Sequence, residues 1–222
     1  MMPDNSLLQY TVKRIRSYIL EGKLQPGEKL NVDGLARALN ISKTPVRDAM
    51  NTLAAEKLVV YRPRRGYAVA TMTVAEFLGL SELQEAIESH IYLRVAQGET
   101  PIDYDALEAI NDEIVEAIAV RDAVRIFSIN EDFHMAIYQT FPNKKMLERL
   151  REMWNELVIH RLHMFSSETF LATIPTDHRN IMDALKTRDT AKILAAVHTH
   201  FRNGNQAAVE ILPDSPPSSS DD

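Results

Sequence analysis

Residues 30–69, LNVDGLARALNISKTPVRDAMNTLAAEKLVVYRPRRGYAV, decide the fold of the front part of this chain. They predict two short helices joined by a tight turn and followed by a basic hairpin. Apolar residues line the inner side of the first helix and the turn, at Leu35, Ala36, Leu39 and Ile41. At about 100° per residue, one face of the second helix collects Val46, Ala49, Met50 and Leu53. We expect Thr44 to cap this second helix and Pro45 to take its first helical position, where the missing N–H is not needed.

The outer side of the second helix is polar and basic. Lys43, Thr44 and Arg47 lie at its N-terminal end, away from the apolar face. A short helix that buries one side and presents cations and small polar groups on the other is suited to the major groove of DNA. Residues 61–67 are typical of a hairpin tip, with Gly66 available for a positive φ and three arginines near backbone phosphates. The pattern predicts a winged helix-turn-helix; a plain helical hairpin with scattered charge is the alternative.

Charge is divided unevenly along the chain. The formal net charge of −6 would argue against a nucleic-acid partner if it were spread evenly. Residues 1–73, however, hold 12 Lys+Arg against 6 Asp+Glu, a net of +6, whereas residues 74–222 hold 13 against 25, a net of −12. A basic front part joined to an acidic remainder is expected of a DNA-binding domain linked to a module with another task. Chance variation is the alternative, and charge alone leaves other anionic partners open.

The front part resembles the DNA-binding domain of the GntR family of bacterial transcription regulators. The match consists of LAxxL at residues 35–39, ISKTPVRDA at residues 41–49, Leu53 and the Arg65-Gly66 pair. Lys43 stands where the family has its first arginine, so it keeps the charge without the bidentate guanidinium; Asp48 stands where the family has glutamate. The resemblance implies double-stranded operator DNA as the partner. We expect the DNA contacts to come from Arg37, Lys43, Thr44, Arg47, Arg64, Arg65 and Gly66.

The remainder of the chain predicts helices only. Helical periodicity extends over residues 74–97, 103–119, 121–140, 143–166, 174–187 and 189–211, and Thr73 can cap the first of these helices. Pro142-Asn143, Ile174-Pro175 and Arg188-Asp189 mark breaks. The fold class is therefore mainly α, with a winged helix-turn-helix followed by an all-α six-helix bundle. We predict a DNA-binding domain at 1–73, an effector-binding, metal-binding and dimerisation domain at 74–212, and a disordered tail at 213–222.

Histidines interrupt the apolar stripes of three of these helices. Asn130 and His134 lie four residues apart on one stripe, His178 lies on a second, and His200 lies on a third. A buried imidazole is costly unless it is paired, and a single one is most simply a core residue bonded to a carbonyl. Three of them with an amide favour a metal site, because neutral imidazoles and one oxygen donor suit Zn²⁺, Ni²⁺ or a similar ion. The sequence by itself does not show that the three helices converge.

The helical part resembles the effector-binding FCD domain of the FadR-type branch of GntR regulators, and its six helices are closer to the VanR-like subgroup. The matching segments are NxxFH at 130–134, DHRxI at 177–181 and AVxxHF at 196–201. The resemblance implies metal ligands at Asn130, His134, His178 and His200. Two departures stand out. Asn130 brings no negative charge, and Gln84 occupies a place where the family often has an arginine that faces the pocket.

Further residues are candidates for the pocket wall. His90, His160 and His163 lie on long helices and could line the pocket. Arg161 could bind a ligand carboxylate, although a surface salt bridge is the simpler role. No effector-binding residue is assigned from the sequence.

Together these features predict a homodimeric transcription regulator, with repression the commoner outcome in such proteins. A small organic acid, implied mainly by the resemblance, would control operator binding at a divalent metal site, with Zn²⁺ the first choice. The chain has no cysteine, no apolar run of the roughly 20 residues that span a bilayer and no secretion-signal pattern at its start, so we expect a cytoplasmic protein. We do not expect an enzyme. The alternatives are a metal-dependent enzyme, with Glu131 and Asp132 the nearest candidate bases, and a purely structural metal.

Overall fold

The computed structural model describes residues 4–98 and 101–214, which contain nine helices and three short strands. The helices are α1 Asp4–Leu20, α2 Val32–Leu39, α3 Lys43–Ala55, α4 Val74–Gln97, α5 Tyr104–Ala119, α6 Ala123–Tyr138, α7 Lys144–Met164, α8 Glu168–Thr187 and α9 Thr190–Ile211. The strands are β1 Lys29–Leu30, β2 Val59–Arg62 and β3 Gly66–Val69. The predicted fold class is confirmed. In the part of the chain that is described, no helix is long and apolar enough to cross a membrane.

The described residues form two compact units. One comprises residues 4–72 with 154–159, and the other comprises residues 73–98, 101–153 and 160–214. The predicted domain boundaries stay a prediction, and most of the predicted tail, residues 215–222, lies outside the described residues.

The first unit is built on α3, whose inner face is the predicted one. Val46, Ala49, Met50 and Leu53 are all fully buried, and α3 packs against α1 and α2. The expected capping by Thr44 is wrong, and so is the first helical position expected for Pro45, which is the third residue of α3. The helix begins at Lys43 with Ser42 as its N-cap residue, and the Ser42 side chain makes no capping hydrogen bond. Thr44 therefore lies inside the first turn, where its exposed side chain points to solvent.

The wing is a three-stranded antiparallel sheet in the order β1-β3-β2. The hairpin pairs Val59 with Val69 and Arg62 with Gly66, and Gly66 has the predicted positive φ, +82°. Only two residues long, β1 pairs with β3 from the other side, and sequence patterning did not reveal it. So short a strand carries no alternation to detect.

The second unit consists of α4 to α9 apart from residues 154–159 of α7. Helix α4 begins with a capping box, in which the Thr73 hydroxyl accepts from the Glu76 N–H and the Glu76 carboxylate accepts from the Thr73 N–H. Helix α9 packs against α4 and α8, while α5 packs against α6 and α8. An apolar core joins α5, α6, the end of α7 and α8, and consists of Ile114, Ala117, Ile126, Ile129, Phe165, Leu171 and Ile174.

The predicted break at Ile174-Pro175 is wrong, because α8 begins at Glu168 and runs through Pro175. A proline inside a helix removes one backbone hydrogen bond and costs about 3 kcal/mol. Leu171 and Ile174 lie on the added turns and are buried in the core, which returns about 1.5–3 kcal/mol for each side chain. Core packing therefore outweighs the local signal that proline gives.

Candidate metal centre and nucleic-acid interface

Three helices bring three histidines together inside the second unit. His134 on α6, His178 on α8 and His200 on α9 form the histidine cluster, in which one ring nitrogen from each residue lies within 4.8 Å of the other two. The ring centroids of His134 and His178 are 5.2 Å apart, and those of His134 and His200 are 5.1 Å apart. Nitrogens bound at about 2.1 Å to one ion stand about 3–4 Å from each other, so the cluster could hold a metal ion.

Burial keeps two of these imidazoles neutral. It is the largest cause that lowers the pKa of His134 and of His178 well below their ordinary value, and the neighbouring histidines lower both further. Neutral imidazole is the form that binds a metal, because a protonated ring has no free lone pair. His134 and His178 are therefore in their ligating form at neutral pH.

His178 shows how the protein presents a ring nitrogen. Its Nδ1 lies 3.1 Å from Asn111 Oδ1, and Asn111 Nδ2 donates to the Pro175 carbonyl at 3.1 Å. This second bond fixes the Asn111 amide with its oxygen toward the imidazole, so His178 Nδ1 carries the proton and Nε2 is left as an acceptor. His178 Nε2 is buried and has no hydrogen-bond partner among the residues that the structure describes. The ring of Phe133 stacks on that of His178 at 3.8 Å, and the orphaned buried nitrogen fits a metal ligand.

Asp177 lies beside the third histidine. Its Oδ2 lies 3.6 Å from His200 Nδ1, and both of its oxygens accept from Asn203 Nδ2, at 3.1 and 2.9 Å. A carboxylate behind a ligating histidine orients the ring and increases its basicity.

Asn130, the fourth predicted ligand, is buried one turn before His134 and lines a cavity that His200 also lines. The other polar candidates are distributed differently. His90 is exposed, and neither it nor His160 or His163 is among the residues that line this cavity within the described chain.

In the first unit, a groove of about 780 Å³ runs between α3, β1 and the wing. Arg47 from α3 and Arg65 and Gly66 from the wing line it, together with Tyr61 and Tyr67. The Tyr67 hydroxyl donates to Asn51 Oδ1 at 2.7 Å, and the two tyrosine rings lie 5.0 Å apart. Recognition helix and wing are thus joined through one side-chain hydrogen bond.

The remaining predicted DNA contacts are exposed on the same unit. Arg37, Thr44 and Arg64 face solvent, and Arg64 has a positive φ of +66° at the hairpin tip. Lys43 forms an ion pair with Asp33 at 3.0 Å while staying 60% exposed. To contact DNA, the Lys43 ammonium has to give up the Asp33 carboxylate, and this loss reduces the binding free energy that the DNA contact contributes.

Both halves of the chain match known families. Residues 8–69 match the gntR family of bacterial regulatory proteins, and residues 80–203 match the FCD domain. The chain belongs to the GntR family with an FCD domain. Its relatives are transcriptional regulators and not enzymes.

Individual relatives cover most of this GntR regulator. The HTH-type transcriptional regulator YdhC of Bacillus subtilis, described as uncharacterized, is 23% identical over 95% of this chain and 94% of its own. A gluconate operon transcriptional repressor of Bacillus licheniformis is 24% identical over 84% of this chain and 79% of its own. The crystal structure of a putative GntR transcriptional regulator from Rhodococcus sp. RHA1 has a TM-score of 0.76 and 22% identity, covering 92% and 98% of the two chains. This last likeness shows a shared fold.

Beyond its ligand candidates, this GntR regulator holds a buried polar chain that leads to His134. The Tyr92 hydroxyl lies 2.8 Å from His134 Nδ1 and 3.4 Å from the Tyr138 hydroxyl. The Tyr138 hydroxyl also lies near the carboxyl of Glu88, which accepts from Gln84 Nε2 at 2.5 Å. Burial raises the pKa of Glu88 above its ordinary value and raises the pKa values of Tyr92 and Tyr138 far above theirs.

Arg161 continues this chain and is not the surface salt bridge that the sequence favoured. Its Nη2 donates to Gln84 Oε1 at 3.1 Å, and its guanidinium faces Glu88 and Glu131. Burial lowers the pKa of Arg161, yet a guanidinium stays charged at neutral pH. Gln84, which stands where the family often has an arginine, is fully buried. It therefore holds Arg161, an arginine from a different helix.

Sequence reasoning missed Asn111, Asp177 and Glu88. Each is a buried polar residue on an otherwise apolar helix face, with Asn111 between Leu107 and Ile114. The signal that identified the histidines could therefore have found Asn111 as well, whereas its partner could not be known without the fold.

Proposed function

We propose that this GntR regulator binds operator DNA under the control of a small organic acid that binds at a metal site in its helical unit. The observation that carries the proposal is the histidine cluster. Three converging imidazoles, one with a buried orphaned nitrogen, lie beside a cavity within the FCD domain. A transcription factor needs no such site for DNA binding itself, so the site is suited to sensing.

The DNA half of the proposal uses the exposed residues of the first unit. The protein acts in the cytoplasm as a two-fold dimer whose recognition helices enter two half-sites of a pseudo-palindromic operator. Arg47 and Lys43 read base edges, while Thr44 and Arg37 hold the helix on phosphates. The wing at residues 64–66 reaches toward the minor groove. The shared groove of Arg47 and Arg65 supports this assignment.

The metal half uses Asn130, His134, His178 and His200 as ligands. Three imidazole nitrogens and one amide oxygen suit Zn²⁺ best, with Ni²⁺ or another transition metal as the alternative. When bound, the ion supplies an open coordination position for a carboxylate oxygen. Asn111 and Asp177 hold the rings of His178 and His200 for it.

Control follows from differential binding. An acid that binds one arrangement of the dimer more tightly shifts the population toward that arrangement. The coupling is reciprocal: the acid changes operator affinity by the same free energy by which the operator changes the affinity for the acid. We propose repression that the acid relieves, in line with the repressor named in Bacillus licheniformis.

The test combines metal content, DNA binding and one arginine. Native mass spectrometry of the purified full chain should show a dimer with one metal ion in each subunit and any acid that it retains. Arg47→Ala should cost about 1–3 kcal/mol of operator affinity and relax discrimination at one base position, whereas Arg149→Ala on α7 should change neither. Full operator affinity in Arg47→Ala would refute the assignment of Arg47.

Chelation separates sensing from a structural role. The acid should release operator DNA from the metal-loaded protein only, and chelation should abolish that response. A protein that loses thermal stability on chelation but never responds to an acid carries a structural metal, and the sensing half of the proposal then fails.

A further inference from the structure

The cavity beside the histidine cluster has one polar end and one apolar wall. Asn130, Arg161 and His200 form the polar end. The wall consists of five large apolar side chains, Phe77, Met164, Phe165, Phe170 and Phe201. Two further polar residues at the edge, Ser81 and Asn205, are bonded to each other at 2.6 Å. A ligand therefore finds polar partners at one end only.

Arg161 is the one guanidinium or ammonium among the described residues that line this cavity. Its charge is partly balanced, because Glu88 and Glu131 face it and Gln84 accepts one of its N–H groups. One carboxylate at the polar end would lie beside this cation and beside the proposed metal ligands Asn130 and His200. A second negative charge would lie against the phenylalanine wall without a partner, where an unpaired charge is costly.

The size of the cavity limits the ligand further. Its volume is about 40 Å³, and one water needs roughly 10–15 Å³ of such space, so the cavity admits only a few heavy atoms beyond the carboxylate. Gly204, one turn after His200, helps to keep this space open. A Cβ built there would meet Met164 and Phe170 at 3.9 Å, so alanine fits, whereas a longer side chain would enter the cavity.

We propose that the effector is a short-chain monocarboxylic acid whose one carboxylate binds both Arg161 and the open metal position, and whose hydrocarbon end packs against the phenylalanine wall. This assignment rests on the proposed function, since it names the class of acid that the same site senses. It places Arg161 as the binding cation, and Gln84 and Glu88 as the groups that position its guanidinium.

The experiment uses two probe acids of equal length, butyrate and succinate, which differ by a methyl group and a second carboxylate. Each is titrated into the metal-loaded full chain at pH 7.5, with heat and melting temperature as readouts. We expect butyrate to bind at least about 10-fold more tightly than succinate. Equal or tighter binding of succinate, or no binding of butyrate, overturns the proposal.

Two variants with matched controls locate the site. Arg161→Gln should weaken butyrate binding at least about 10-fold, because a charged hydrogen-bond partner is lost, while Arg149→Gln on the exposed side of the same helix should not. Gly204→Leu should block butyrate by filling the cavity. Gly79→Leu, on the exposed face of α4, should not, because no described atom lies within 4 Å of a Cβ built at Gly79. Metal content is measured for every variant, so a lost fold is distinguished from a lost contact.

The outcomes separate this inference from the proposed function. If succinate, but not butyrate, releases operator DNA, sensing stands and the monocarboxylate assignment fails. If butyrate binds through Arg161 without changing operator affinity, the assignment stands and the sensing function fails. Unchanged butyrate affinity in both Arg161→Gln and Gly204→Leu places the acid elsewhere and refutes the inference.

Discussion

At the scale of single residues, Asn111 decides which nitrogen of His178 is available. Its amide is held by the Pro175 carbonyl and accepts from His178 Nδ1. Without this acceptor the ring could rotate or change tautomer, and Nε2 would no longer be presented to an ion. The residue has no charge and no proposed ligand role of its own, yet we expect the metal affinity to depend on it.

Asn111→Ala should lower metal affinity about 10–100-fold, as loss of a group behind a ligating histidine does. The measurement is competition with a chromophoric chelator, and Asn155→Ala, an exposed asparagine on α7, is the control. Unchanged affinity in Asn111→Ala would show that His178 is held by the Phe133 stack alone.

Glu88 should make stability depend on pH. Burial raises the pKa of its carboxyl above 4.5 in the folded protein. Between pH 4.5, the ordinary pKa of the unfolded state, and the raised pKa of the folded state, the folded protein holds more protons than the unfolded chain. The free energy of unfolding therefore falls as pH rises through that range. Each pKa unit corresponds to about 1.4 kcal/mol.

Glu88→Gln keeps the shape and removes the titration. The stability of the native sequence relative to Glu88→Gln should therefore be greater at pH 5 than at pH 7.5, measured by urea unfolding with a chelator present. A difference that is constant with pH, or that grows as pH rises, would contradict the raised pKa.

At the scale of elements, the wing is fixed to the recognition helix by the bond between Tyr67 and Asn51. Strands β2 and β3 pair at four positions, and β1 pairs with β3 on the other side, so this bond adds a side-chain link between the wing and α3 to the pairing of the sheet. We expect Tyr67→Phe to speed hydrogen exchange of the wing amides several-fold in the free protein and to weaken operator binding. Tyr61→Phe leaves this bond intact and is the control; an equal effect of both substitutions would rule out the tether.

Elements also show what the sequence could and could not predict. The periodicity of apolar residues predicted α2 to α9 and the buried face of α3, because that pattern reports burial directly. Local signals failed where tertiary contacts outweighed them, at Pro175 inside α8 and at the uncapped start of α3. Polar residues on apolar stripes identified the three histidines as candidates, and the resemblance to the FCD domain implied that they share one site. The buried position of Arg161 beside this site was not predicted, because its partner Gln84 lies 77 residues away in the chain.

At the scale of the whole molecule, a chain with a net charge of −6 is proposed to bind a polyanion. The explanation must be local, since fields from distant charges are screened beyond about 10 Å at ordinary salt. Residues 1–73 carry a net of +6, and the exposed arginines of the wing and α3 concentrate part of it on one surface. Net charge therefore should not control affinity, whereas the position of each cation should.

Salt dependence can separate the two causes. Each phosphate contact contributes about 0.9 to the slope of log K against log salt concentration. Replacing Arg64 and Arg65 together by glutamine should reduce that slope by about 2, because each substitution removes a cation that we expect near a backbone phosphate. The matched control replaces Arg121 and Arg149, two arginines about three-quarters exposed in the helical unit, by glutamine. Both double variants lower the net charge by the same amount. If both reduce the slope of log K against log salt concentration equally, overall charge and not the wing governs DNA binding.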